Sequence, residues 1–141
     1  MLKLQTYFIL AVAAMSCTAQ DLTATLNCGS PPQPIDDNAC QTALTQLAPY
    51  VKNNNLVRDE SAFQVSCAGC KLTIGTSNGG NLNVLYEKVQ LGLNNLLAAC
   101  PQKGASLGMS AGSTNTNPNT DTGATLTISY PTTNPDGCSI I

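Results

Sequence analysis

The sequence predicts an α+β fold, an antiparallel sheet with two helices on one of its faces, fastened by three disulfides. Three observations predict it. Apolar residues alternate with polar ones at Phe63, Val65 and Cys67, at Cys70, Leu72 and Ile74, and at Ala124, Leu126, Ile128 and Tyr130, the period of a half-buried strand. They recur at helical spacing at Cys40, Ala43, Leu44 and Leu47, and again from Leu82 to Cys100. Of the seven cysteines, all but Cys17 lie beyond the expected leader, and the remaining six form an even set suited to bridges.

The leader is residues 1–19. Lys3 precedes an uncharged apolar run from Tyr7 to Met15, followed by the small residues Ser16, Cys17, Thr18 and Ala19, the anatomy of a secretory signal peptide. A lipoprotein reading with Cys17 acylated needs a branched apolar residue three positions earlier, where Ala14 stands. Residues 20–141 fit a single domain. The apolar run is too short to span a bilayer, and no later stretch reaches the roughly 20 residues that spanning needs, so the expectation is a secreted, extracellular protein without stable membrane insertion.

Within that domain Leu22, Ala24, Leu26 and Cys28 alternate as a first strand, ended by Gly29 to Pro34. A first helix follows a cap at Asp36 or Asp37 and is stopped or bent by Pro49. Lys52 to Glu60 reads as a polar loop. The next two strands are separated only by Ala68-Gly69, which fits a tight hairpin and sets Cys67 opposite Cys70 on the core face. Gly75 to Gly80 turn the chain into a second helix, capped by Asn81 or Asn83, with a stripe of Leu82, Leu85, Val89, Leu93, Leu96, Leu97 and Cys100, ended by Pro101. Ala105 to Ala111 and Ala124 to Tyr130 complete the strands. Between them, Ser113 to Thr122 is rich in Ser, Thr, Asn and Gly and reads as a mobile loop. The order strand, helix, strand, strand, helix, strand matches a split βαβ, ferredoxin-like sandwich. In that arrangement Cys40 and Cys100 look down from the helices on Cys67 and Cys70, so each hairpin cysteine is expected to bridge to one helix, leaving Cys28 for Cys138.

Aromatic residues make up only 4% of the chain and Trp is absent, so little area is buried per side chain. Cross-links therefore carry much of the stability expected for Cys28, Cys40, Cys67, Cys70, Cys100 and Cys138.

The function classes narrow by exclusion. The net charge is -2, and losing Lys3 with the leader makes it more negative; a nucleic-acid partner needs clustered cations that this chain lacks. The sequence contains no His, which removes Ser-His-Asp and Cys-His nucleophilic systems and the usual catalytic zinc sites. Asp36-Asp37, Asp59-Glu60 and Glu87 are the carboxylates a small hydrolase would pair across a cleft. Each has a plainer reading: a helix cap, a polar loop, an exposed helix face. Cys67-Ala68-Gly69-Cys70 has the spacing of a redox dithiol or half a zinc site, but it lies in a hairpin rather than at a helix start, which favours structural disulfides. The closing Cys138-Ser139-Ile140-Ile141 matches a prenylation box only by accident, because the leader directs the chain away from the cytosol. No Asn-x-Ser/Thr sequon occurs.

The Cys67–Cys70 hairpin leading into Leu72 and Ile74, the Leu-rich helix to Cys100, and the closing Leu126-Thr127-Ile128-Ser129-Tyr130 with a final cysteine resemble small secreted fungal proteins related to smut-fungus killer toxins and necrosis-associated effectors. That resemblance implies a fungal source and a role against a host or a competitor. The channel-acting toxins of this type are basic, whereas this chain is acidic, so no toxin-active residue carries over.

The expectation is a monomeric effector-like or killer-toxin-like binding protein with no enzymatic activity, cofactor or metal. Its contact loops are expected among Lys52 to Glu60, Gly75 to Gly80 and Ser113 to Thr122. The alternatives are a small secreted carboxylate-dependent hydrolase and a cell-wall or carbohydrate-associated structural protein.

Overall fold

A computed structural model describes residues 26–30, 33–110, 112, 123–133 and 136–141. The expected leader with Cys17, the strand positions Leu22 and Ala24, Ala111 and the Ser113 to Thr122 segment lie outside these residues.

The described chain runs β1 (Asn27–Cys28), α1 (Asp37–Thr45), a 3-10 turn (Ala48–Tyr50), β2 (Val51–Lys52), β3 (Asn55–Arg58), β4 (Ala62–Cys67), β5 (Cys70–Thr76), β6 (Leu82–Leu85), α2 (Tyr86–Ala99), β7 (Ala105–Met109), β8 (Ala124–Ser129) and β9 (Ser139–Ile140). Six strands form one sheet in the order β1-β7-β8-β5-β4-β9, and β2-β3-β6 form a second. Every pairing is antiparallel.

The β4–β5 hairpin is the one the alternation predicts, with Phe63 opposite Ile74, Val65 opposite Leu72 and Cys67 opposite Cys70. Its turn depends on Gly69, whose φ is +92°, a region that side-chain-bearing residues disfavour. The Gly69 carbonyl accepts the Asp36 N–H at 3.1 Å, and a Cβ on Gly69 would stand 2.9 Å from that of Asp36. Asp36 is also the α1 cap, its Oδ1 accepting the N–H groups of Asn38 and Ala39 at 2.9 and 3.3 Å. Hairpin tip and helix start are thus one unit.

Leu126 and Ile128 of β8 align with Ile74 and Leu72, and Leu107 of β7 aligns with Leu126. All five are buried. α1 closes this face over β4 and β5 with Ala39, Cys40, Ala43 and Leu44, and α2 closes it over β7 and β8 with Val89, Gly92, Leu93 and Leu96. Gly92 lets α2 come close, since a Cβ there would lie 3.2 Å from Leu107 and Leu126 methyl carbons. The helices meet where Gln41 Nε2 donates to Asn94 Oδ1 at 2.8 Å. The opposite face of the sheet carries Gln64, Ser66, Lys71, Thr73, Ser106, Thr127 and Ser129, all half-exposed.

Four expectations need correction. The split βαβ order is not adopted: β5 takes β8 as its second neighbour, and β1 lies at the edge against β7. The β8 alternation extends the β5 apolar stripe in register, which fills the slot a ferredoxin-like sheet gives its first strand.

Lys52 to Glu60 is not a loop, because Val51–Lys52 and Asn55–Arg58 pair as a hairpin. Asn53 and Asn54 make its turn at φ of 49° and 66°, the left-handed pair that a two-residue hairpin turn uses. Leu56 anchors this hairpin, fully buried.

The second helix starts at Tyr86 rather than at Asn81 or Asn83. Leu82 and Val84 are buried while Asn83 and Leu85 are exposed, and Leu82–Leu85 pair with β3. The leucine spacing there satisfies two periods at once, and strand pairing wins.

The bridges are Cys40–Cys70, Cys28–Cys100 and Cys67–Cys138. The first joins α1 to the hairpin as expected. The other two differ because β4 has β9, not a helix, on its outer side, and because β1 brings Cys28 opposite Ala105, within reach of the α2 terminus.

Candidate functional site

The strand register divides the large sheet into two ends. At one end Cys67 faces Cys70, Lys71 faces Ser129 and Cys28 faces Ala105. All three disulfides gather there, with the Ala68-Gly69 turn and the start of α1. At the other end Thr76 and Met109 both face Ala124. That end holds no bridge among the described residues; its connections are joined by backbone bonds.

Those bonds bring together the segments that the sequence picks out singly. Ser77 donates twice to the Gly123 carbonyl, from its N–H at 3.1 Å and its hydroxyl at 2.8 Å. The Glu60 carbonyl accepts the Leu82 N–H at 3.0 Å, and the Gly112 carbonyl accepts the Asn83 N–H at 2.7 Å. The end of the β3 connection, the Ser77–Gly80 turn and both described flanks of the Ser113 to Thr122 segment therefore share one rim. The turn is fixed from within: Asn78 Oδ1 accepts the Gly80 N–H at 2.9 Å, and the Thr76 hydroxyl donates to the Gly80 carbonyl at 2.7 Å. Gly79 at its tip is exposed, with nothing within 4 Å of where a Cβ would stand.

The candidate carboxylates are dispersed over different elements. Asp36 and Asp37 lie at the start of α1, at the bridged end, where Asp36 serves as a cap. Asp59 and Glu60 lie at the loop rim, and Glu60 pairs with Arg58. Glu87 is in the first turn of α2, in a shallow cleft of about 520 Å3 with Val51, Asn54, Leu85, Tyr86 and Gln90.

Arg58 does more than neutralise Glu60. Its guanidinium carbon stands 4.8 Å from the centroid of Phe63, whose ring meets Tyr50 at 5.0 Å. Its Nη1 also donates to the Ile141 carbonyl at 2.7 Å. This cluster ties the small sheet to the large one.

The cysteines of the Cys67–Cys70 motif belong to different bridges, so they do not form a dithiol pair with each other. Among the described residues no group of three or more Cys, Asp and Glu side chains stands within reach of one metal ion, and no helix there is long and apolar enough to cross a membrane. Tyr86 is the one described group with a displaced titration: burial raises its hydroxyl above the ordinary tyrosine value. That hydroxyl donates to the Leu44 carbonyl at 3.0 Å, linking the start of α2 to the end of α1.

No protein-family model, curated protein or solved structure matches the chain.

The shared rim was not readable from the sequence, because each contributing bond joins a backbone group to one far along the chain. The β2–β3 hairpin did leave a signal: Asn53-Asn54 between Val51 and Leu56 is turn chemistry between two apolar residues.

Proposed function

We propose that this chain is a secreted effector-like or killer-toxin-like protein that binds a host or competitor target outside the secreting cell, using the loop rim as its contact surface. One observation carries the reading: the three bridges are confined to one end of the sheet and the converging loops to the other. A rigid end and a displayed end are the usual division of labour in proteins that act by contact. Three disulfides suit an oxidising extracellular setting, and the dispersed carboxylates favour contact over hydrolysis. The choice of host or competitor as target follows the resemblance of the Cys67 to Cys138 segment to fungal killer toxins and effectors.

The test is to apply the fully oxidised protein to plant tissue and to competing fungi, scoring cell death and growth arrest. A variant carrying Asp59→Lys and Asn81→Lys, both exposed at the rim, is applied in parallel. Loss of the response in this variant, with its bridges and fold retained, is the expected result. An equal response from both proteins, or turnover of wall polysaccharide by the native protein, would overturn the reading.

A further inference from the structure

We infer that β9 is a releasable cover over the β4 edge of the large sheet, fastened by the Cys67–Cys138 bridge, and that its release lets β4 pair with β4 of a second copy of the chain. The Thr76 N–H bonds the Ser61 carbonyl at 2.8 Å, which sets the ladder parity. Phe63, Val65 and Cys67 direct their backbone toward β5, while Ala62, Gln64 and Ser66 direct theirs to the other side. There Gln64 and Ile141 exchange two N–H to carbonyl bonds, at 3.1 and 2.9 Å, and Ser66 is opposite Ser139. Ala62 lies beyond the pairing.

Among the described residues the other attachments of β9 are weaker than a covalent bond: Ile140 is 37% exposed and so only partly packed, and Ile141 at 70% contributes little apolar burial. Arg58 touches the Ile141 carbonyl, but its bonds to Glu60 and its place over Phe63 stay with β3 and β4 when β9 leaves. The firm attachment is covalent. Cys138 is an exposed residue, whereas Cys40 and Cys70 are wholly buried, so a dithiol reductant reaches the Cys67–Cys138 bridge before the Cys40–Cys70 bridge. One thiolate of the reductant attacks Cys138 Sγ and the Cys67 thiolate leaves, taking a proton from water. The second thiol of the reductant then displaces Cys138 as its thiol, and the reductant departs as a disulfide, two electrons having passed to the protein.

The uncovered strand has none of the features by which exposed edges resist pairing. Ala62-Phe63-Gln64-Val65-Ser66-Cys67 contains no charge and no proline. Antiparallel pairing of β4 with its own copy about a two-fold axis at Gln64 sets Ala62 opposite Ser66 and Phe63 opposite Val65, so the apolar layer continues from one copy into the next.

The experiment compares the native protein with a Cys67→Ser, Cys138→Ser variant that keeps the other two bridges, by light-scattering mass and by amide exchange. The variant is expected to be a dimer, with the Ile141 amide exchanging at least about 100-fold faster than in the native protein and those of Gln64 and Ser66 protected. Adding Gln64→Lys, which places two lysines directly opposite across the axis, is expected to return the monomer. A monomeric variant whose Ile141 amide stays protected, or a dimer indifferent to Gln64→Lys, would overturn the inference. The native protein titrated with dithiothreitol is the second route if the variant does not fold. Alkylation of Cys67 and Cys138 ahead of Cys40 and Cys70, together with dimer formation, supports the inference, and simultaneous reduction of these bridges overturns it.

Discussion

Replacing Cys40 and Cys70 together by alanine is expected to cost about 5 kcal/mol of stability. The bridge spans a sequence separation of 30, and closing a loop of that size restricts the unfolded chain by about 3.6 kcal/mol at 25 °C. Both residues are 0% exposed, so the substitution also removes two sulfurs from the packed layer between α1 and β5. Each is comparable to a buried methylene, about 0.8 kcal/mol. Loop size alone ranks the other bridges higher: separations of 71 and 72 are worth about 0.8 kcal/mol more than this one. Burial offsets that difference, because Cys28 and Cys138 are exposed while Cys67 and Cys100 are buried, so each of those replacements gives up one packed sulfur rather than two and all three are expected to cost about 5 kcal/mol. Equilibrium urea denaturation is the assay. With a slope of about 2 kcal/mol/M, the midpoint of the Cys40→Ala, Cys70→Ala variant falls by roughly 2.5 M. A shift below about 0.5 M would refute the claim that this bridge fastens α1 to the sheet through both loop closure and packing.

Three other outcomes are expected. Tyr86→Phe removes the bond to the Leu44 carbonyl and lowers stability near neutral pH by about 1 kcal/mol in thermal or urea unfolding. Because burial raises the Tyr86 hydroxyl, the folded state keeps a proton that the unfolded state loses above about pH 10, so native stability declines as pH rises through that range; the decline is expected to be shallower in Tyr86→Phe. Gly69→Ala forces a side chain into a left-handed turn against Asp36, and a loss of about 1 to 3 kcal/mol is expected from the unfolding midpoint. Gly92→Leu drives a branched side chain into Leu107 and Leu126, and the same measurement should show a loss of about 1 to 3 kcal/mol or more.

The parts of this fold that were legible in the sequence are those governed by short-range periodicity. Phe63 to Ile74 gave the central hairpin, its two-residue turn and its register, because alternation and a glycine turn leave one solution. The start of the first helix is equally clear from the Asp36 cap, but α1 ends at Thr45, ahead of Pro49, which sits in the 3-10 turn that follows. For the second, the leucine spacing points to a start four residues before Tyr86, because Leu82 and Leu85 stand at helical spacing, and only the pairing partner, Asn55–Arg58, decides that they are strand residues. That partner is itself hidden: with Leu56 and Val57 among the seven polar residues of Lys52 to Glu60, average polarity conceals a hairpin whose turn residues are in plain sight. Strand order was not legible, since period-two patterns state which face is buried but not which strand lies alongside. The same limit applied to the bridges. That one hairpin cysteine bridges to α1 follows from local geometry, whereas the choice of Cys70 over Cys67, and the pairs Cys28–Cys100 and Cys67–Cys138, depend on which strands occupy the sheet edges. The turn expected at Gly75 to Gly80 is present over Ser77–Gly80, with Gly75 and Thr76 still in β5, and its meeting with Glu60, Gly112 and Gly123 requires the three-dimensional arrangement.

Confining the cross-links to one side also bears on how such a chain can change over generations. A longer or shorter stretch between Met109 and Ala124 alters only the span closed by Cys67 and Cys138, and doubling a span costs only about 0.6 kcal/mol. Neither of the other two spans includes it. The register of β7 with β8 is set by the strands themselves, so new residues can be inserted at that tip, and old ones lost, while the cysteine framework keeps its shape.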